Sequence, residues 1–255
     1  RGYDSAGVAL IEPSGELKRA RSVGRVIGLE QQLTDDINGS LGIAHTRWAT
    51  HGGVTESNAH PHVDDSKLGH GVTLVHNGII ENYASIKQWL VKKNHVFESE
   101  TDTEVLAHLI GELYDGDLEK AVQAALREVT GAYALAVICA KEPDTLVVAR
   151  KGSPLMVGVG ADEYVVASDS SAIVAHTKQA FTLEDYTVAK ITRDSMRTTT
   201  VDNVEITPEI RELEVDLEEI ELGSFEHYML KEIYEQPEAI KRCFQGRLDL
   251  RDGQV

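Results

Sequence analysis

Apolar and polar positions alternate, cluster and recur along this chain in ways that predict its elements. Residues 8–12 (Val-Ala-Leu-Ile-Glu) read as a strand, Pro13-Ser-Gly-Glu16 as a turn and residues 17–23 as a second strand, giving an antiparallel hairpin. Residues 26–33 have helical spacing. Two short apolar runs, Leu41-Gly-Ile-Ala and Gly71-Val-Thr-Leu-Val, end abruptly in bunched polar residues, the mark of strands that deliver side chains to loops. Between them, residues 47–70 read as a long loop rich in Gly, His, Asn and Pro, too long to be a simple connector.

Three helical stripes follow. Residues 79–91 place Ile80, Tyr83, Ile86, Leu90 and Val91 on one face, residues 103–113 repeat the spacing with Val105, Leu106, Leu109, Ile110 and Leu113, and residues 118–129 with Ala121, Val122, Ala125 and Leu126. After Gly131 the texture changes to short strands at 132–140, 145–149, 155–159 and 163–168, cut by turns at Pro143-Asp, Gly152-Ser-Pro and 158–162. Ser168-Asp-Ser-Ser caps a short helix over Ala172-Ile-Val-Ala175, and 181–200 holds further strands. Residues 205–221 are strongly acidic, a solvated edge or connector. From Phe225, the spacing of Met229, Ile233 and Ile240 predicts a helix capped by Ser224. Helices before and between antiparallel strands must cover the faces of two stacked sheets, so the expected class is α+β, an αββα sandwich.

Composition narrows the function. With 42% apolar residues in 255 the chain can fill a core, and a formal charge of −17 repels phosphate backbones and anionic lipid, so neither nucleic acid nor membrane is an expected partner. No apolar run reaches the roughly 20 residues that span a bilayer. Two cysteines give no disulfide framework and agree with a reducing, cytoplasmic location. Cys139, in an apolar strand, reads as core, and Cys243 as an exposed bystander; neither has a base beside it that makes a nucleophile.

The candidate chemistry sits in His45-Thr-Arg-Trp-Ala-Thr-His-Gly52, His76-Asn-Gly-Ile-Ile-Glu-Asn82 and Ser99-Glu-Thr-Asp-Thr-Glu104. Arg47 suits a carboxylate bound through two parallel charge-assisted bonds, and Asp102 suits an ammonium. Asn77 and Gly78 offer a side-chain and a backbone N–H for a developing oxyanion. An amino acid with an amide side chain, glutamine, satisfies all four. More ordinary roles stay open: a surface salt bridge for Arg47, a helix cap before Thr103 for Asp102, and an aromatic packing the loop down for Trp48. His51, His60 and His62 match no helix-borne zinc spacing, so no metal is expected.

Together with Arg1-Gly-Tyr-Asp-Ser-Ala-Gly7, Asn58-Ala-His-Pro-His62 and the stretch Phe225 to Pro237, these motifs resemble, over nearly the whole chain, the glutaminase domain of the glutamine:fructose-6-phosphate aminotransferases, among the class II glutamine amidotransferases. The resemblance implies the amino-terminal-nucleophile hydrolase fold, with residues 1–222 as glutaminase domain and 223–255 as connector to an absent sugar-isomerase domain. It implies Arg47, Thr50, His51 and Asp102 as glutamine-binding residues, Asn77 and Gly78 as oxyanion hole, Trp48 as a gate on the ammonia path, no cofactor, fructose 6-phosphate in the absent domain and a homodimeric parent. It also implies an amino-terminal cysteine with its own amine as base. Position 1 is Arg, so the expectation is a chain clipped at its front as well as its end, and inactive as it stands. Two other readings compete: another class II amidotransferase, such as the phosphoribosyl-pyrophosphate type, and a non-catalytic glutamine-binding module.

Overall fold

The computed structural model describes residues 4–33, 38–49, 52–64, 70–213 and 222–244. Its strands are β1 (Ser5–Ile11), β2 (Leu17–Val23), β3 (Leu41–Arg47), β4 (His62–Val63), β5 (Val72–Ile80), β6 (Gly131–Cys139), β7 (Glu142–Lys151), β8 (Met156–Val159), β9 (Tyr164–Ala167), β10 (Gln179–Thr182), β11 (Thr187–Ile191), β12 (Met196–Thr200), β13 (Glu205–Ile206) and β14 (Arg211–Glu212). The helices are α1 (Val26–Glu30), α2 (Tyr83–Lys92), α3 (Asp102–Leu113), α4 (Leu118–Glu128), α5 (Ser171–Val174) and α6 (Tyr228–Phe244). The chain divides into two compact units, Arg1–Leu213 and Glu214–Val255.

A seven-stranded antiparallel sheet, β13-β12-β11-β7-β6-β5-β4, is the spine of the first unit. Its middle strands are buried on both faces, which is why β5, β6 and β7 read as continuous apolar runs rather than as alternation. Leu74, Ile80, Leu135, Val137, Val147 and Ala149 pack against α2, α3 and α4, while Ile138, Leu146, Val148 and Ala189 join the opposite core with Ile43, Val157 and Phe181. That opposite face is covered by two smaller antiparallel sheets, β2-β1-β3 and β14-β10-β8-β9, with the short helices α1 and α5 packed on them. The architecture is the expected αββα sandwich of antiparallel sheets, with its second sheet divided in two. The division leaves β3 and β9 as edge strands.

The predicted hairpin is present, with Ile11 opposite Leu17 and Ser5 opposite Val23. Several boundaries moved for physical reasons. Ile79 and Ile80 belong to β5 instead of a helix face, because β6 continues to pair with the strand as far as Ile80 opposite Gly131. Pro143 lies inside β7 near its exposed start, where a missing N–H is tolerated. The 47–70 stretch contains β4, paired with β5. Helix α6 starts at Tyr228, where His227 carbonyl accepts from Lys231 N–H, so Ser224 lies outside it.

Helix α3 is held tightly at its front. Thr101 is the N-cap and its hydroxyl accepts from Glu104 N–H at 3.3 Å. Glu104 turns its carboxylate back onto the N–H groups of Glu98 and Ser99, each at 2.8 Å, a variant of the capping box. Burial raises the Glu104 pKa, but His108 and these N–H donors outweigh it and hold the group down at about 2. Leu106 and Ile110 then bury the helix against the sheet, each contributing on the order of 1.5–3 kcal/mol. Among the described residues no helix is long and apolar enough to cross a membrane.

Candidate functional site

Alternation along β3 turns Ile43, His45 and Arg47 away from solvent, and the strand ends on the arginine. Arg47 is 5% exposed and donates to Gly53 carbonyl at 3.1 Å and Gly52 carbonyl at 3.4 Å, so it is no surface salt bridge. Burial lowers its pKa while the charges of Asp4 and Asp102 raise it. The Gly52-Gly53 turn that receives it is clamped from both sides. Asn58 Nδ2 donates to Gly53 carbonyl at 3.0 Å, Glu100 carboxylate accepts from Gly53 N–H at 3.2 Å, and Asn58 and Glu100 bond each other. At Gly52 φ is +79°, and a Cβ would stand 2.8 Å from Asn58 Nδ2.

Strand β5 carries the next part. The same alternation points His76 toward α3 and Asn77 toward β3. His76 Nδ1 lies 3.1 Å from Thr103 Oγ1, and its backbone N–H donates to His60 Nδ1 at 3.3 Å. Asn77 Oδ1 lies 2.7 Å from His45 Nε2; an amide oxygen only accepts, so His45 carries its proton on Nε2 and the Asn77 NH₂ group is left for other acceptors. His45 Nδ1 is then a bare lone pair, buried and without a partner among the described residues. The rings of His45 and His60 stack with centroids 4.3 Å apart. Burial is the main cause that lowers the pKa of His45, His60 and His76, and it takes His62 down to about 3, so the layer is neutral. Gly78 sits at φ +143°, where a Cβ would meet Ala132 carbonyl at 2.0 Å, so β5 can pass β6 here only as glycine.

Helix α3 supplies the third part. Asp102 is its first residue, not its cap. The carboxylate accepts from Ile80 N–H at 2.7 Å and from Thr103 hydroxyl at 3.4 Å, which ties the front of α3 to the end of β5. Arg47, Asn77, Gly78 and Asp102 all line one groove of about 960 Å³, whose walls include the edge strands β3 and β9. Trp48 also lines it and is 72% exposed, so it does not pack the loop down. Thr50 and His51 lie outside the described residues.

One expectation about β5 is corrected. Asn77 and Gly78 stand within strand β5, not on a loop after it, because Ala134 and Tyr133 of β6 pair with them. The neutral layer of His45, His60 and His76, with Asn58 and Glu100, was present in the quoted motifs without a role; only the fold brings the members together. Cys139 lies on the helix-side face of β6, where its thiol donates to His70 carbonyl at 3.3 Å and burial pushes its pKa up, and it does not line the groove. Cys243 is exposed on α6.

Residues 31–228 match the family described as glutamine amidotransferase domain. The chain is 48% identical over 263 aligned residues to a glutamine–fructose-6-phosphate aminotransferase (isomerizing) of Chlorobaculum tepidum, and 47% identical over 260 to that of Bacteroides thetaiotaomicron. In both cases the match takes in all of this chain and 42% of the relative's length. Among solved structures, the fold resembles glutamine phosphoribosylpyrophosphate amidotransferase from B. subtilis with a TM-score of 0.68 at 27% identity, covering 78% of this chain and 43% of that one. A glutamine aminotransferase class-II domain protein from Silicibacter pomeroyi shares the fold with a TM-score of 0.55 at 16% identity, over 76% of this chain and 90% of that one. The matched span contains Arg47, Asn77, Gly78 and Asp102 with the groove they share, and the chain belongs to the glutamine amidotransferase domain family.

Proposed function

We propose that the groove binds glutamine and that the chain is the glutamine-cleaving portion of an enzyme that passes the freed ammonia to fructose 6-phosphate. The observation that carries this reading is the convergence of a buried guanidinium, a buried carboxylate and the Asn77-Gly78 donors on one groove. Arg47 takes the α-carboxylate of glutamine and Asp102 its ammonium, which leaves the side-chain amide facing Asn77 and Gly78. The thiol of the amino-terminal cysteine that the family resemblance implies, which is not among these 255 residues, would attack the amide carbon as its proton passes to that residue's own amine, pushing an electron pair onto the amide oxygen, where the Asn77 NH₂ and the Gly78 backbone N–H receive it. Donors of this kind typically contribute on the order of 100- to 1000-fold in rate each. Collapse of the intermediate expels ammonia once that amine has returned the proton to its nitrogen, and water then cleaves the resulting thioester to release glutamate.

The acceptor is read from the relatives: 47–48% identity to the fructose-6-phosphate enzymes outweighs 27% to the phosphoribosylpyrophosphate enzyme. The exposed Trp48 at the groove supports its reading as a gate. Cys139 is not among the residues that line the groove, and the amino-terminal cysteine that the family resemblance implies is not among these 255 residues, so this polypeptide holds glutamine without cleaving it. Calorimetric titration tests the grip. Arg47→Ala is expected to weaken glutamine binding by about 2–5 kcal/mol, the cost of removing one partner of a buried charge pair; an unchanged isotherm counts against the assignment, and so does ammonia release by this polypeptide above a blank.

A further inference from the structure

Apart from the groove, three buried side chains from separate segments converge. Asp64 directly follows β4, His95 lies in the turn after α2, and His108 is on α3. His108 Nδ1 is 2.9 Å from Asp64 Oδ1 and 2.9 Å from His95 Nδ1, while His95 Nδ1 is 4.0 Å from Asp64 Oδ1. The approach is built into the backbone. A Cβ at Gly111 would stand 1.9 Å from Asp64 Oδ2, so only glycine at this turn of α3 lets the carboxylate lie against the helix.

Two imidazole nitrogens facing each other at this distance cannot both carry protons. Their other nitrogens also face carboxylates. His95 Nε2 lies 3.0 Å from Glu112 carboxylate, and His108 Nε2 lies 3.9 Å from Glu104 carboxylate. Without an ion, His108 Nδ1–H donates to Asp64 Oδ1; an ion that displaces this proton, with one proton left on each Nε2, meets both Nδ1 lone pairs and the Asp64 oxygen together. Metal-bound histidines recurrently present this arrangement, with the far N–H held by a carboxylate.

We propose that Asp64 Oδ1, His95 Nδ1 and His108 Nδ1 bind a divalent first-row ion of the zinc class. Ligands about 2.1 Å from a common ion stand about 3.0 Å apart at a right angle and about 3.4 Å apart in a tetrahedron, and the observed separations bracket these values. Two imidazoles with one carboxylate suit zinc, cobalt or nickel better than calcium or magnesium, which prefer all-oxygen shells. The ion would staple β4 and the turn after α2 to the helix whose first residue is Asp102.

The test uses the full 255-residue chain, stripped with chelator and dialysed. Titration with zinc chloride should show one equivalent bound, cobalt chloride should give visible ligand-field absorption without a thiolate charge-transfer band, and the ion should raise the Tm. His95→Gln and His108→Gln should weaken binding at least 100-fold, His62→Gln should leave it unchanged, and Glu112→Gln, which alters only the far N–H partner of His95, should weaken it about 10- to 100-fold. Should His108→Gln fail to give the wild-type circular dichroism, His95→Gln and Glu112→Gln decide. Absence of uptake by the wild type, or uptake undiminished in His95→Gln, overturns the proposal.

Discussion

Two groups of buried histidines lie in this domain, and they are held in opposite ways. His45, His60, His62 and His76, beside the groove, are all pushed down by burial, His62 to about 3, even though the charges of Asp102 and Glu104 act upward on His76 and His62. His108 is as deeply buried, but there hydrogen bonds to Asp64 and Glu104 outweigh burial and hold it up at about 9. The lesson is that burial alone does not set a histidine's charge: carboxylates that hydrogen-bond the ring do, and carboxylates merely nearby do not. The first group works as neutral scaffolding whose fixed tautomers aim Asn77. The second encloses positive charge, whether a proton or an ion.

The sharpest way to break this contrast is Asp64→Asn. The amide keeps the shape and removes the compensating charge, so chemical denaturation should show a loss of roughly 3–5 kcal/mol. A change under about 1 kcal/mol would mean that His108 is not held by charge.

Acid sharpens the other side. A histidine whose folded pKa lies below its unfolded value of about 6.5 binds fewer protons when folded, so stability falls as pH drops below 6.5 and goes on falling to the folded pKa. His62, with a folded value of about 3, should contribute a loss of about 1.4 kcal/mol by pH 5.5, with His45, His60 and His76 acting in the same direction. That window lies above the carboxylate range, and His108, held at about 9, gains under about 1 kcal/mol across it in the opposite sense, so urea titrations at pH 7.0, 6.0 and 5.5 should still show a net loss. Flat stability across it contradicts a neutral layer.

The smallest effect belongs to His45→Phe. The ring stays stacked on His60 and the bond that aims Asn77 is lost, which should weaken glutamine binding by about 1 kcal/mol, roughly fivefold, without changing the fold.

The contrast also marks what the chain's order of residues discloses. Arg47 at the inward end of an alternating strand and Asp102 at the front of a strongly periodic helix are local facts, and both were legible. The continuation of β5 through Asn77 and Gly78 was not, because polar residues after an apolar run look like a loop until the pairing strand from Gly131 onward is known. The divided second sheet, which makes the groove, depends on which strands end as edges. Asp64, His95 and His108 lie in three unrelated local patterns, and only the docking of α3 on β4 and on the turn after α2 joins them.

The central claim, that Asp102 receives the ammonium of glutamine while Arg47 receives its carboxylate, is tested most directly by a cycle of four titrations: wild type and Asp102→Asn, each with glutamine and with glutamine lacking its α-amino group. Asparagine keeps the acceptor for Ile80 N–H. The account predicts that removing the amino group costs the wild type at least tenfold in affinity and costs Asp102→Asn little; an equal loss in both proteins would contradict it.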